Sequence, residues 1–215
     1  MALPRFNFIP ICANISVNVY YILNLLDKSS FSIILVTVSR LEEAVLVKLF
    51  MGIIYSKNAQ VYKCIKTLEK RFSKTDFISE RLPFRYTTYY EKEMGTELSR
   101  IVITFKALIK RDKLVKIKHF TNELEKSFST NGNRQINLDP GYIAPEHLII
   151  ATGKGYYHRP YLGRGVYADL TLVYQKKDFR PLKWTYPDYR TNKMRRIFKN
   201  LRERYMLELG EKKLV

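Results

Sequence analysis

The side chains able to do chemistry crowd into two stretches of this sequence. Arg85–Gly95 reads RYTTYYEKEMG, and Gly153–Arg164 reads GKGYYHRPYLGR, followed by VYADLTLVY at 166–174. Read as a strand, the first stretch puts Tyr89, Glu91 and Glu93 on one face, because side chains alternate with period two. Glu91 and Glu93, with Asp169, would form a divalent-metal site or an acid–base pair. The same two glutamates also suit a solvated strand face whose charges pair with lysines. Asp169 sits among apolar neighbours, with Tyr167 and Thr171 on its own face. A carboxylate on a covered face needs a partner, whereas on a wet face it is ordinary.

In the second stretch, His158 offers a proton carrier near neutral pH. Arg159 and Arg164 could grip phosphate or carboxylate through forked hydrogen bonds. Tyr156, Tyr157 and Tyr161 could stack on bases. Glycines 153, 155, 163 and 165 would let backbone approach a ligand closely. A long hairpin tip, needing glycine for its turns and arginine for solubility, is the other reading. WTYPDYR at 184–190 adds Arg190 as a phosphate contact. Its aromatics, Trp184, Tyr186 and Tyr189, either stack on bases or pin the final helix to a sheet. The catalytic candidates are therefore His158, Glu91 and Asp169. The metal ligands would be Glu91, Glu93 and Asp169, and the phosphate or ligand contacts Arg159, Arg164, Tyr161, Tyr157 and Arg190. Asp139, in LDPG, reads as a turn initiator.

Several familiar mechanisms are missing from the sequence. The nearest fragment to a phosphate-binding P-loop, Thr152–Gly155, lacks the upstream glycine and the following hydroxyl. No G-x-S-x-G elbow is present. A lone H-x-T triplet, His119–Thr121, falls in a helical pattern and has no second copy. Cys12 and Cys64 are the two cysteines, too few and too distant for a disulfide framework or a zinc site. Cys64 falls on an apolar helical face and reads as a small core residue.

The elements that must position these groups follow from periodicity. VLVKLFMGIIYS, from Val45, is a buried-strand signature. Val61, Ile65, Leu68 and Phe72 then mark one helix face, with Asn58 as its N-cap. Thr75–Phe84 and RYTTYYEKEMG read as strand, paired with the alternating run RIVITFKAL. Leu114, Ile117, Leu124 and Phe128 mark a second helix, with Asp112 near its start and Asn131-Gly132-Asn133 as its C-cap. RQINL is a fourth strand. Leu148–Ala151 and Val166–Tyr174 form a hairpin-like extension. A final helix from about Arg190 to Leu209 carries Met194, Ile197, Leu201, Tyr205 and Leu209 on one side and a basic face on the other. The order strand–helix–strand–strand–helix–strand predicts an α+β, ferredoxin-like split βαβ sheet with helices on one face, extended by the C-terminal β-hairpin and the basic C-terminal helix.

Residues 1–44 stand apart. Arg5, Lys28 and Arg40 balance Asp27, Glu42 and Glu43, so the net charge of +18 lies wholly downstream. The uncharged run Ile9–Leu26 holds too many asparagines for a good membrane span. The segment reads as a docked accessory element, a weak membrane anchor, or an atypical extension from a mis-set start, with 45–215 as a single α+β domain.

VKLFMGIIYS, LPFRYTTYYEKEMG with LSR, INLDPGYI, HRPYLGRGVYADLTL and WTYPDYR, in that order, resemble a prokaryotic family catalogued as domain of unknown function 4416. The resemblance runs over about residues 45–209 and leaves the first 44 outside. It implies no established activity, though some members of that family carry a GTP-binding label.

The excess of 38 Lys and Arg over 20 Asp and Glu favours anionic partners. The leading expectation is a cytoplasmic binding module for nucleic acid or a phosphorylated ligand such as a nucleotide. One alternative is a metal-assisted enzyme acting on a phosphoester or nucleotide, with a divalent ion as cofactor. Another is a protein-interaction module that docks through a sheet edge or the last helix.

Overall fold

The computed structural model describes residues 41–211, together with the backbone of two earlier segments, 19–23 and 33–37. The chain divides into two units, Met1–Glu43 and Ala44–Val215. In the first, β1 (Val19–Leu23) pairs antiparallel with β2 (Ile33–Thr37). Cys12 and the rest of the Ile9–Val38 region lie outside the described residues. No helix among the described residues is long and apolar enough to cross a membrane.

The second unit is α+β. In chain order it contains β3 (Val47–Tyr55), α1 (Val61–Arg71), β4 (Thr75–Ile78), β5 (Leu82–Pro83), α2 (Glu91–Met94) and β6 (Ser99–Ile109). A short 3-10 turn at Arg111–Lys113 leads into α3 (Leu114–Ser127), then β7 (Ser129–Thr130), β8 (Asn133–Arg134) and β9 (Ile136–Ile143). The chain continues with β10 (His147–Thr152), β11 (Tyr161–Gly163), β12 (Val166–Gln175), β13 (Asp178–Pro181) and α4 (Asn192–Glu211). One large antiparallel sheet runs β11-β12-β10-β9-β3-β6-β4, with β13 also on β12 and β5 also on β6.

Alternation along β3 separates two cores. Leu49, Met51 and Ile53 face α1 and α3, packing with Cys64, Leu68, Ile117 and Leu124. Phe50 faces the opposite side, where Phe198, Leu201 and Tyr205 of α4 cover the sheet. The helices therefore lie on both faces, not on one. α4 is apolar along a full stripe, and the far side of the sheet is where that stripe can be buried. Each such side chain withdrawn from water contributes roughly 1.5–3 kcal/mol.

Several local expectations change. α1 begins at Val61, its N-cap position is Gln60, and no side chain caps it, so Asn58 does not serve as the cap. Arg85–Gly95 is not a strand. It forms turns and the one-turn helix α2, because Tyr90 and Met94 share a helical face and close over Ile54, Phe84 and Leu98. β6 pairs with β3, β4 and β5 instead. Asn131 and Gly132, both at positive φ, form the tip of the β7–β8 hairpin and not a helix cap.

The LDPG segment is also no turn: Asp139, Pro140 and Gly141 lie within β9, opposite Gly52, Met51 and Phe50. The consequence is structural. Leu138 turns its N–H and C=O away from β3, giving them to Glu125 (2.7 Å) and Lys118 (3.1 Å) of α3. Pro140, two residues on, faces the same side and has no N–H to offer. β10 accordingly pairs with β9 only at Gly141, Tyr142 and Ile143, and beyond Pro140 the two strands separate.

Two glycines allow close approach. A Cβ at Gly141 would lie 2.3 Å from the Ile149 carbonyl oxygen and 2.5 Å from the Phe50 ring, and one at Gly52 would lie 2.9 Å from the Tyr189 hydroxyl. Gly141→Ala is expected to cost about 3 kcal/mol through overpacking against rigid backbone, read as a shift in urea midpoint. Burial raises the Cys64 thiol pKa to about 12. Cys64 should therefore resist a thiol reagent in the native protein and react only after denaturation, as read by peptide mass mapping.

Candidate functional site

The gap between β9 and β10 opens into a cavity of about 740 Å³, lined both by α3 and by the segment before α4. Its walls come from four places. The loop before α2 supplies Tyr86, Thr87, Tyr89 and Tyr90; the end of β10 supplies Thr152, Gly153 and Lys154. The segment before α4 supplies Tyr186 to Tyr189, and α3 with β9 supplies Lys118, Glu125, Asn137 and Asp139. The tyrosine-rich stretch and the glycine-rich stretch thus do meet: the Lys154 ammonium lies 4.0 Å from the centroid of the Tyr89 ring.

Beneath the cavity, charges are matched in pairs. Arg100, 4% exposed, donates to Asp139 at 3.0 Å and to Asp188. Its guanidinium lies between the rings of Phe84 and Tyr189, each 5.0 Å away. Arg134 bonds both oxygens of Glu93 at 2.7 Å, and also reaches Glu125 (2.8 Å) and Asn137 (3.1 Å). Burial raises the Glu125 carboxyl above its ordinary value, opposed by Lys118 and Arg134. Burial raises the Tyr189 phenol to about 12, and also raises Tyr90 and Tyr186. These tyrosines stay neutral at physiological pH and present hydroxyls and ring faces rather than phenolates. Asn137 Nδ2 and the Tyr189 hydroxyl are buried donors with no partner among the described residues.

The residues singled out from the sequence divide into two groups. Asp169 lines the cavity and is fully buried; it accepts from Arg159 Nε at 2.8 Å and from the Thr171 hydroxyl at 3.1 Å. His158 lies behind it, Nε2 3.7 Å from the carboxylate, with its ring stacked on Trp184 at 4.7 Å. Arg159 spends its other nitrogens on the Lys154 carbonyl (3.0 Å) and the Tyr186 hydroxyl (2.8 Å), so it braces the rim.

The second group does not line the cavity. Glu91 is exposed on α2, and Glu93 is held by Arg134. Among the described residues no three His, Cys, Asp or Glu are grouped to hold a metal ion. Glu91, Glu93 and Asp169 are not gathered because the helix at α2 breaks the alternation that would have aligned the glutamates. Tyr157 is exposed, and the Tyr161 hydroxyl accepts from the Gly165 N–H. Arg164 occupies a positive-φ turn, where its carbonyl is within 2.9 Å of His119 Nε2. Arg190 bonds the Thr185 and Lys183 carbonyls and fixes the loop before α4.

Arg100, Lys118, Glu125 and Arg134 were not picked out by motif or spacing. Arg100 carried one signal, as a charge at the head of the apolar run RIVITF.

An antiparallel sheet with helices on both faces, parted at an aromatic and charged cleft, defines an α+β domain. Residues 45–205 match the family described as Domain of unknown function (DUF4416), and the chain belongs to it. No curated protein and no solved structure matches the chain.

Arg134 holds the Glu93 carboxyl below its ordinary value of 4.5. A depressed carboxyl stabilises the fold above its unfolded pKa and loses that contribution as pH falls through the folded one. The anchoring of the α2 loop should therefore weaken as pH drops below about 4.5. In Glu93→Gln this part of the acid dependence should vanish, measured as thermal midpoint against pH.

Proposed function

We propose that the cleft between β9 and β10 binds a phosphorylated small molecule carrying a planar ring, and that a nucleotide is the class that fits it best. The observation that carries this reading is Lys154. Its ammonium stands at an aromatic-walled cavity and pairs with no carboxylate among the described residues. An ammonium left without a counter-charge beside five tyrosines suits a phosphate with a ring attached. The volume lies within the roughly 300–1,000 Å³ of small-ligand sites. Tyr89, Tyr90 and Tyr186 offer ring faces. Lys118 adds a second cation, and Asp139 and Asn137 offer an acceptor and a donor for base or sugar edges.

The strand order β4-β6-β3-β9, with α1 and α3 as the crossings, supports reading this part as a ferredoxin-like split βαβ unit. β10 to β13 then form the extension that opens the cleft. The metal-assisted phosphoesterase reading is the weaker one, because Glu93 and Asp169 are already committed to Arg134 and Arg159.

Calorimetric titration of the full chain with adenosine and guanosine mono-, di- and triphosphates tests the proposal. The phosphorylated forms should bind saturably, and the parent nucleosides at least about tenfold more weakly, a difference of about 1.4 kcal/mol. Lys154→Glu should weaken binding by a similar factor, and added salt should weaken it further. Equal affinities for nucleoside and nucleotide, or an unchanged Lys154→Glu variant, would overturn the assignment.

A further inference from the structure

A second surface lies along α4, lined by residues distinct from those of the cleft. Beside α4 and the end strand β4 runs a groove of about 490 Å³. Phe77, Ile197 and Leu201 contribute its apolar lining, and Lys193, Arg196 and Arg204 its cations. Glu80 is the one carboxylate in that lining, and it holds Lys193 at 3.0 Å. Three cations face one carboxylate in that lining, and Arg204 also borders Asp76 and Glu208 on its other side. Arg196 is exposed and its guanidinium has no partner among the described residues. Arg204 is exposed and donates to the Asp76 carbonyl at 3.4 Å. Among the described residues β4 pairs with β6 alone, which leaves its other edge unpaired by them, and Ile78 on it is 51% exposed.

We propose that this groove docks an extended acidic segment of another protein. The segment would lie beside the open edge of β4, place apolar side chains against Phe77, Ile197 and Leu201, and set carboxylates on Arg196 and Arg204. The exposed, unpartnered guanidinium of Arg196, beside Arg204, favours an anionic occupant. The lining selects among anions: it is mainly aliphatic and contains one ring, whereas single-stranded nucleic acid needs a run of open aromatic faces.

The test is fluorescence anisotropy of a fluorescein-labelled decapeptide of alternating glutamate and leucine, titrated with the full chain. A lysine–leucine decapeptide and decauridylate are run beside it. The acidic peptide should bind saturably and the basic one not at all. The Arg196→Glu, Arg204→Glu double variant should weaken the acidic peptide at least about tenfold. Both positions are exposed, so an unchanged thermal midpoint confirms that this variant folds. Tyr89→Ala, in the cleft, should leave peptide binding intact. Equal binding of both peptides, an unaffected double variant, or a Tyr89→Ala loss as large as that of the double variant overturns the proposal. So does binding of decauridylate alone, abolished in the double variant, which makes the groove a nucleic-acid surface.

Discussion

The cleft exists because Pro140 cannot donate a hydrogen bond. An antiparallel ladder continues for as long as each strand offers donors and acceptors to the next. At Pro140 the donor is missing on the side facing β10, and pairing stops at Gly141. Two strands that part inside a sheet expose backbone groups that must find other partners. α3 supplies them: Glu125 takes the Leu138 N–H and Lys118 gives to the Leu138 C=O. Both side chains also line the cavity, so the groups that repair the broken ladder are part of the wall of the site.

Charge burial follows the same logic at the cavity floor. Arg100 is held by carboxylates and rings, and Arg134 by carboxylates and an amide, which offsets the cost of removing guanidinium groups from water. The matching is close enough that little net charge remains inside, and the unmatched cation is Lys154 at the rim. Arg159 plays the corresponding part on the far wall. It joins Asp169 to Tyr186 and the Lys154 carbonyl, so the rim is held by one side chain reaching three elements.

Periodicity revealed the parts of the fold that bury a clean face. β3, β6, α1, α3, α4 and the β10–β12 pair lie close to where apolar spacing puts them, because tertiary packing there agrees with local pattern. Arg85–Gly95 was misread because a dense aromatic composition imitates a strand, while the spacing of Tyr90 and Met94 was helical. Asp139-Pro140-Gly141 was misread because Pro and Gly ordinarily mark turns. Here the proline ends pairing on one side only, and the glycine admits the Phe50 ring. Asp169 stood out because a carboxylate inside an apolar strand demands a partner, and its partner is Arg159 from the glycine-rich stretch. Arg100, Lys118 and Arg134 come from separate elements, and no linear spacing connects them.

Gly52 and Tyr189 are coupled in a way that sequence change must respect. The hydroxyl at 189 occupies the space that a methyl group at 52 would fill. A side chain at one position is therefore admissible only if the other gives up an atom, as in alanine facing phenylalanine. Lineages of this fold that enlarge residue 52 should be those that have lost the phenolic oxygen at 189, and the two sites should drift as a pair.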